Sequence, residues 1–98
     1  MVSPGSVLFG PTRRAVLSLI FGRGARPLYL RQIIRAVGTG QGAVQRELRH
    51  LERAGIITAV RDGRHTYYRP NRDCPIFAEL SRLVRRLPAG AEQGRTGR

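Results

Sequence analysis

Residues 41–69 read QGAVQRELRHLERAGIITAVRDGRHTYYR, and the period of their apolar positions changes once, at Gly55. Before Gly55, at about 100° per residue, Val44, Leu48 and Leu51 fall on one side of a helix. Arg46, Arg49, His50 and Arg53 fall on the far side, with Glu47 and Glu52 flanking them. Thr39 is the expected N-cap and Gly55 the stop, which gives a helix over residues 41–54. After Gly55 the period becomes two. Ile56–Arg61 and Arg64–Arg69 are β-branched and aromatic runs on either side of Asp62-Gly63, a dipeptide that suits a two-residue type I′ turn. That turn pairs Arg61 with Arg64, so Ile57, Ala59, Thr66 and Tyr68 share one face of the hairpin and Ile56, Thr58, Val60, His65, Tyr67 and Arg69 the other. Two opposed arginines at the tip repel each other unless an anion sits between them.

Working upstream, Leu30, Ile33, Ile34 and Val37 recur at i, i+3, i+4, i+7, which predicts a helix over residues 30–37. Its opposite face carries Arg31, Gln32 and Arg35, and Gly38 supplies a left-handed stop. Residues 12–21 (TRRAVLSLIF) are apolar around most of the helical circumference, so they predict a core helix with Pro11 in its first turn. Downstream, residues 73–87 predict a last helix with Asp73 as N-cap and Pro75 in the first turn. Its stripe of Ile76, Leu80, Leu83, Val84 and Leu87 is a large apolar surface for the end of a small domain and suits cover by a second copy, with packing on residues 12–21 the other reading. Residues 1–5 and 88–98 lack periodic apolar positions and are expected to be flexible, which leaves one domain over 6–87.

The chain has 98 residues, enough for one modest core. All 18 basic residues are arginine against six acidic ones, a formal charge of +12. Guanidinium forks phosphate oxygens or a guanine edge with two hydrogen bonds, where lysine offers a point charge. The surplus is spread through the helices and hairpin rather than held in a basic tail, with six arginines and no acid over residues 12–35. Residues 36–55 set three arginines against two glutamates, so a nearly neutral segment presents one strongly basic face. No apolar run reaches the roughly 20 residues of a membrane span and no export signal opens the chain, so a cytoplasmic location is expected. Cys74 has no internal partner for a disulfide. It reads as an inert thiol at a helix start, with redox switching the lesser reading. His50, His65 and Cys74 show no ligand spacing, so no metal and no cofactor are expected. No nucleophile has a base at a catalytic spacing, so the chain is not expected to be an enzyme.

Two helices joined by a short glycine-rich turn, the second with an outward basic face and followed by a basic-tipped hairpin, describe a winged helix-turn-helix: a mainly α fold with one small hairpin, its terminal helices packing or dimerising. The run from Leu28 to Tyr68, above all GAVQRELRHLERAGIIT with RDGRHTYYRPN, resembles the ArsR-type winged-helix transcriptional regulators, in particular the branch also found beside nucleotidyltransferase domains. That resemblance implies that residues 41–54 are the recognition helix and residues 56–69 the wing. Gln41, Gln45, Arg46 and Arg49 are then the expected contacts to base edges, glutamine matching adenine and arginine guanine. Arg31, Gln32, Thr39 and Arg53 suit backbone phosphates, and His50 is grouped with them although its place is ambiguous. Arg61 and Arg64, with His65 beside them, would reach the adjacent minor groove or its phosphates.

The chain departs from the metal sensors of this type, which carry paired thiolates on the helix before the recognition helix. Here that helix reads LRQIIRAV, without a soft ligand. The reading is thus a homodimeric, sequence-specific regulator that binds double-stranded DNA. The alternative is a winged-helix adaptor, or antitoxin-like module, docked on a protein partner such as a nucleotidyltransferase. A docking face would centre on aromatic and aliphatic anchors, which the arginine face lacks.

Overall fold

The computed structural model describes residues 4–22 and 26–87, so the tail expected at 88–98 lies outside the described residues. Helix α1 (Pro4–Phe9) and helix α2 (Pro11–Gly22) meet at Gly10, whose φ of +83° turns the chain. Pro4 and Gly5, expected to be part of a flexible end, are instead the first residues of α1. A six-residue helix of ordinary composition carries too little periodicity to announce itself. It is held by packing: a Cβ at Gly5 would come within 2.3 Å of the Arg14 Cδ and 3.2 Å of the Leu87 Cδ1.

Strand β1 is only Leu28–Tyr29 and runs straight into helix α3 (Leu30–Val37). Tyr29 occupies the cap position, and its backbone N–H donates to the Gln32 Oε1 at 2.8 Å. Gly38, at φ +75°, ends α3 by donating its N–H to the Ile34 carbonyl at 3.1 Å, the left-handed stop expected there.

Helix α4 (Gln41–Arg53) follows a three-residue turn. Its N-cap is Gly40, at φ +105°, rather than Thr39. Thr39 sits one residue too early to cap, and its hydroxyl accepts instead from the Thr12 hydroxyl at 3.5 Å. At the other end the N–H of Ile56 donates to the Leu51 carbonyl and that of Gly55 to the Glu52 carbonyl, each at 3.0 Å. With Gly55 at φ +76°, this is a Schellman motif.

Strands β2 (Ile57–Asp62) and β3 (His65–Pro70) form the hairpin, and β1 adds to the far side of β3, giving the antiparallel order β1-β3-β2. The pairing corrects the expected register by two residues. Asp62 lies opposite His65 and Arg61 opposite Thr66, so the turn is Gly63-Arg64. Gly63 has φ +63° and Arg64 does not have positive φ, the pattern of a type II′ turn with glycine first. Asp62 therefore extends the strand instead of entering the turn. Because the shift is even, every side chain keeps its expected face.

Helix α5 (Phe77–Arg86) begins later than Asp73. Asn71 takes control of that segment: its Nδ2 donates to the Gly55 carbonyl at 2.8 Å and its Oδ1 accepts the Asp73 N–H at 3.1 Å. Two further turns, with Cys74 N–H donating to Asn71 and Phe77 N–H to Cys74, precede the helix.

The core is organised around α2, which packs against α1, α3, α4, α5 and β3. Val16 and Ile20 of α2, Ile33 of α3, Val44 and Leu48 of α4, and Ile57 of β2 are its most deeply buried side chains. Each contributes about 1.5–3 kcal/mol of transfer free energy. The stripe of α5 is divided. Leu80 and Val84 lie in this core and Leu87 is half-buried, whereas Ile76 and Leu83 are 52% and 40% exposed. For Leu80 and Val84 the expected dimer role gives way to packing on α2, where Phe77 also sets its ring 6.2 Å from that of Phe21. Among the described residues no helix is long and apolar enough to cross a membrane.

Candidate nucleic-acid interface

Helix α4 buries Val44, Leu48 and Leu51, and that choice fixes which side chains point outward. Gln41, Arg46, Arg49, His50 and Arg53 are all exposed, while Gln45 is half-buried at the margin. The two glutamates are turned off this face. Glu47 accepts a hydrogen bond from the Arg13 Nε at 2.6 Å, which ties α4 to α2 and neutralises one carboxylate with an arginine from outside the face. Glu52 sits on the opposite flank, beside Tyr68.

Tyr68 joins the helix to the hairpin electrostatically. Burial raises its hydroxyl above the ordinary value of 10.0, and the Glu52 charge raises it further, while Arg61 and Arg49 pull it down. Arg49 of α4 and Arg61 of β2 are therefore within electrostatic reach of the same hydroxyl.

The other expected contacts are also at the surface. Arg31, Gln32, Thr39, Arg61, Arg64 and His65 are exposed. Two of them have local duties that sequence reasoning missed: Gln32 places its carbonyl oxygen on the cap of α3, and Thr39 meets Thr12. Nor do Arg61 and Arg64 oppose each other. Arg64 is in the turn and Arg61 faces Thr66, so the expected repulsion across the tip is relieved without an anion.

Sequence reasoning also missed Tyr29. Its ring packs edge-on to Tyr67 at 5.5 Å and to His65 at 5.7 Å, on the sheet face away from the core. A two-residue strand leaves no period to detect, although an aromatic residue immediately before a helical stripe was the available signal. Arg13 was counted as surplus charge, and only the fold reveals its pairing with Glu47. Among the described residues no group of three or more His, Cys, Asp or Glu side chains is placed to hold a metal ion.

A basic helix presented by a helix-turn-helix and followed by a hairpin wing defines the class of winged-helix DNA-binding transcription regulators. Within that class the chain belongs to the family described as "Bacterial regulatory protein, arsR family", whose profile matches residues 10–59. The match runs from the start of α2 into β2 and so includes both helices of the motif. Among solved structures, Rv0081 of M. tuberculosis is similar over 82% of this chain and 76% of its own, at 28% identity and a TM-score of 0.64. Reduced HlyU of Vibrio cholerae shares 15% identity over 76% of this chain and 70% of its own, with a TM-score of 0.61. The adhesin competence repressor AdcR of Streptococcus pyogenes shares 17% over 76% of this chain and 53% of its own, also at 0.61. The last two likenesses concern the fold. Comparison with curated protein sequences gives no match.

Proposed function

We propose that the chain binds double-stranded DNA with sequence preference, as a homodimer, and regulates transcription by doing so. The observation that carries this is the outer face of α4, where Arg46, Arg49 and Arg53 are exposed while Glu47 is held away by Arg13. A major groove about 12 Å wide admits such a helix. Gln41, Gln45, Arg46 and Arg49 then read base edges, while Arg31, Gln32, Thr39, His50 and Arg53 meet phosphates. Arg61, Arg64 and His65 take the wing to the neighbouring minor groove or backbone. The dimer uses what the core leaves outside at this end, Ile76 just before α5 and Leu83 on it, together with Val7 and Leu8 of α1, which are 71% and 65% exposed.

Selection of duplexes from a random pool tests the reading. An enriched, roughly palindromic motif is expected, with two half-sites about one helical turn apart. Affinity for the selected duplex should exceed that for a scrambled one at every salt concentration, and should fall with salt by a slope near −0.9 per phosphate contacted. Equal binding to both duplexes would reduce the function to charge-driven association.

A further inference from the structure

The wing and the start of α3 enclose a cleft of about 540 Å³. One wall is Tyr29 to Gln32, the end of β1 and the first turn of α3, and the other is Arg64 to Thr66, the turn and first residues of β3. The lining has no carboxylate. Two arginines, Arg31 and Arg64, line one concavity from elements 33 positions apart in sequence, together with Gln32, His65 and Thr66. Asp62 lies across the ladder from His65 but is not part of the lining, and Glu47 is held by Arg13.

Size and composition specify the ligand. Small-molecule sites fall between about 300 and 1,000 Å³, so the cleft has room for an organic group beside an anion, much more than one backbone phosphate needs. Two arginines favour an oxyanion with several acceptor oxygens, which they can fork. The Tyr29 and His65 rings, set edge to face at 5.7 Å, and the Leu30 side chain offer apolar and aromatic contact to the remainder of the ligand.

We propose that this cleft is a binding site for a small phosphate ester with a planar organic group, free in solution, and that the ligand acts as an effector. The regulatory half rests on the DNA-binding reading above. A ligand held by Arg31, Arg64 and His65 occupies side chains that a duplex would use for its backbone, so it lowers affinity for DNA.

Phenyl phosphate is a simple probe. Titrated into the full chain at fixed ionic strength without DNA, it should saturate, with a Kd on the order of 1 mM for so small a ligand, and shift amide signals of residues 29–32 and 64–66. Inorganic phosphate should bind at least threefold more weakly and phenol should not bind. Arg31→Gln and Arg64→Gln should each weaken phenyl phosphate at least fivefold. Arg85→Gln, which removes an exposed arginine of α5 outside the cleft, should leave it unchanged. Signals that move along the whole chain without saturating, or equal effects of all three substitutions, overturn the site. In a second arm the selected duplex is titrated with and without saturating phenyl phosphate. A severalfold loss of DNA affinity that disappears in the Arg31→Gln, Arg64→Gln double variant supports the effector role. Unchanged DNA affinity, or the ester bound only by the free chain's other arginines, overturns it. A chain that binds no duplex at all defeats the DNA-binding reading while leaving the first arm to decide the cleft.

Discussion

Gly55 holds φ at +76°, a region where a side chain crowds the following carbonyl. Gly55→Ala should therefore cost about 1–2 kcal/mol, measured as a lower midpoint of denaturant unfolding, although the space around the missing Cβ is open to 4.0 Å. Gly5 is the opposite case. Its backbone is ordinary helix, but the Arg14 side chain passes where a Cβ would be, and Arg14 is only 5% exposed. Gly5→Ala should cost about 1–3 kcal/mol by forcing α1 away from α2. The first glycine could be read from sequence, because it stands where an apolar helical stripe stops. The second could not, since its reason is a neighbour nine positions away. Tyr68 gives a pH dependence. Its pKa in the fold is raised above the ordinary 10.0, so on alkaline titration the unfolded chain loses its proton first. The stabilisation is complete below pH about 10 and declines as pH rises through the raised value. Tyr68→Phe should flatten that decline in unfolding midpoints collected from pH 8 to 11. The remaining alkaline loss would then belong to other groups.

At the scale of elements, α4 and the hairpin were legible for different reasons. The faces of α4 follow from helical geometry, and the structure keeps Val44, Leu48 and Leu51 inside as the spacing requires. The hairpin faces were correct although the turn was misplaced by one residue. Alternation fixes which side chains share a face, whereas only the hydrogen-bonded pairing distinguishes a turn at Asp62-Gly63 from one at Gly63-Arg64. The helix makes the sharper prediction. Arg46→Ala and Arg49→Ala should each reduce affinity for the selected duplex by about 1–3 kcal/mol and relax preference at the base pair contacted. Arg53→Ala should weaken all duplexes alike and flatten the salt slope by about one contact. Competition binding with single-base variants separates the two outcomes; uniform losses for all three would reassign the reading face to the phosphates. The late start of α5 was hidden for a more specific reason. Asn71 bonds back to Gly55 and holds the Asp73 amide, and a side chain that closes a loop across 16 positions leaves no local pattern.

For the molecule as a whole, the exposed large aliphatic side chains lie towards both ends of the described chain, Val7 and Leu8 on α1 and Ile76 and Leu83 at the start of α5 and within it. The sequence showed the α5 stripe but not how the fold divides it between core and surface, because Leu80 and Val84 find α2 only once the chain has closed. Leu83→Glu should give monomers in sedimentation velocity without lowering the intrinsic stability of the monomer by more than about 0.5 kcal/mol, as expected for an exposed site. A persistent dimer would move the interface away from α5. The two-residue strand β1 has a consequence of another kind. Leu28 pairs with Tyr68, Tyr29 pairs with Tyr67, and the next residue already belongs to α3. The hairpin is thereby bolted to the helix pair, with no slack peptide between them. It works as a caliper whose jaws are set at a constant opening. On a duplex, the proposed contacts of α4 and of the wing would keep one separation, so a stretch of DNA whose grooves are spaced differently must itself bend or twist to fit.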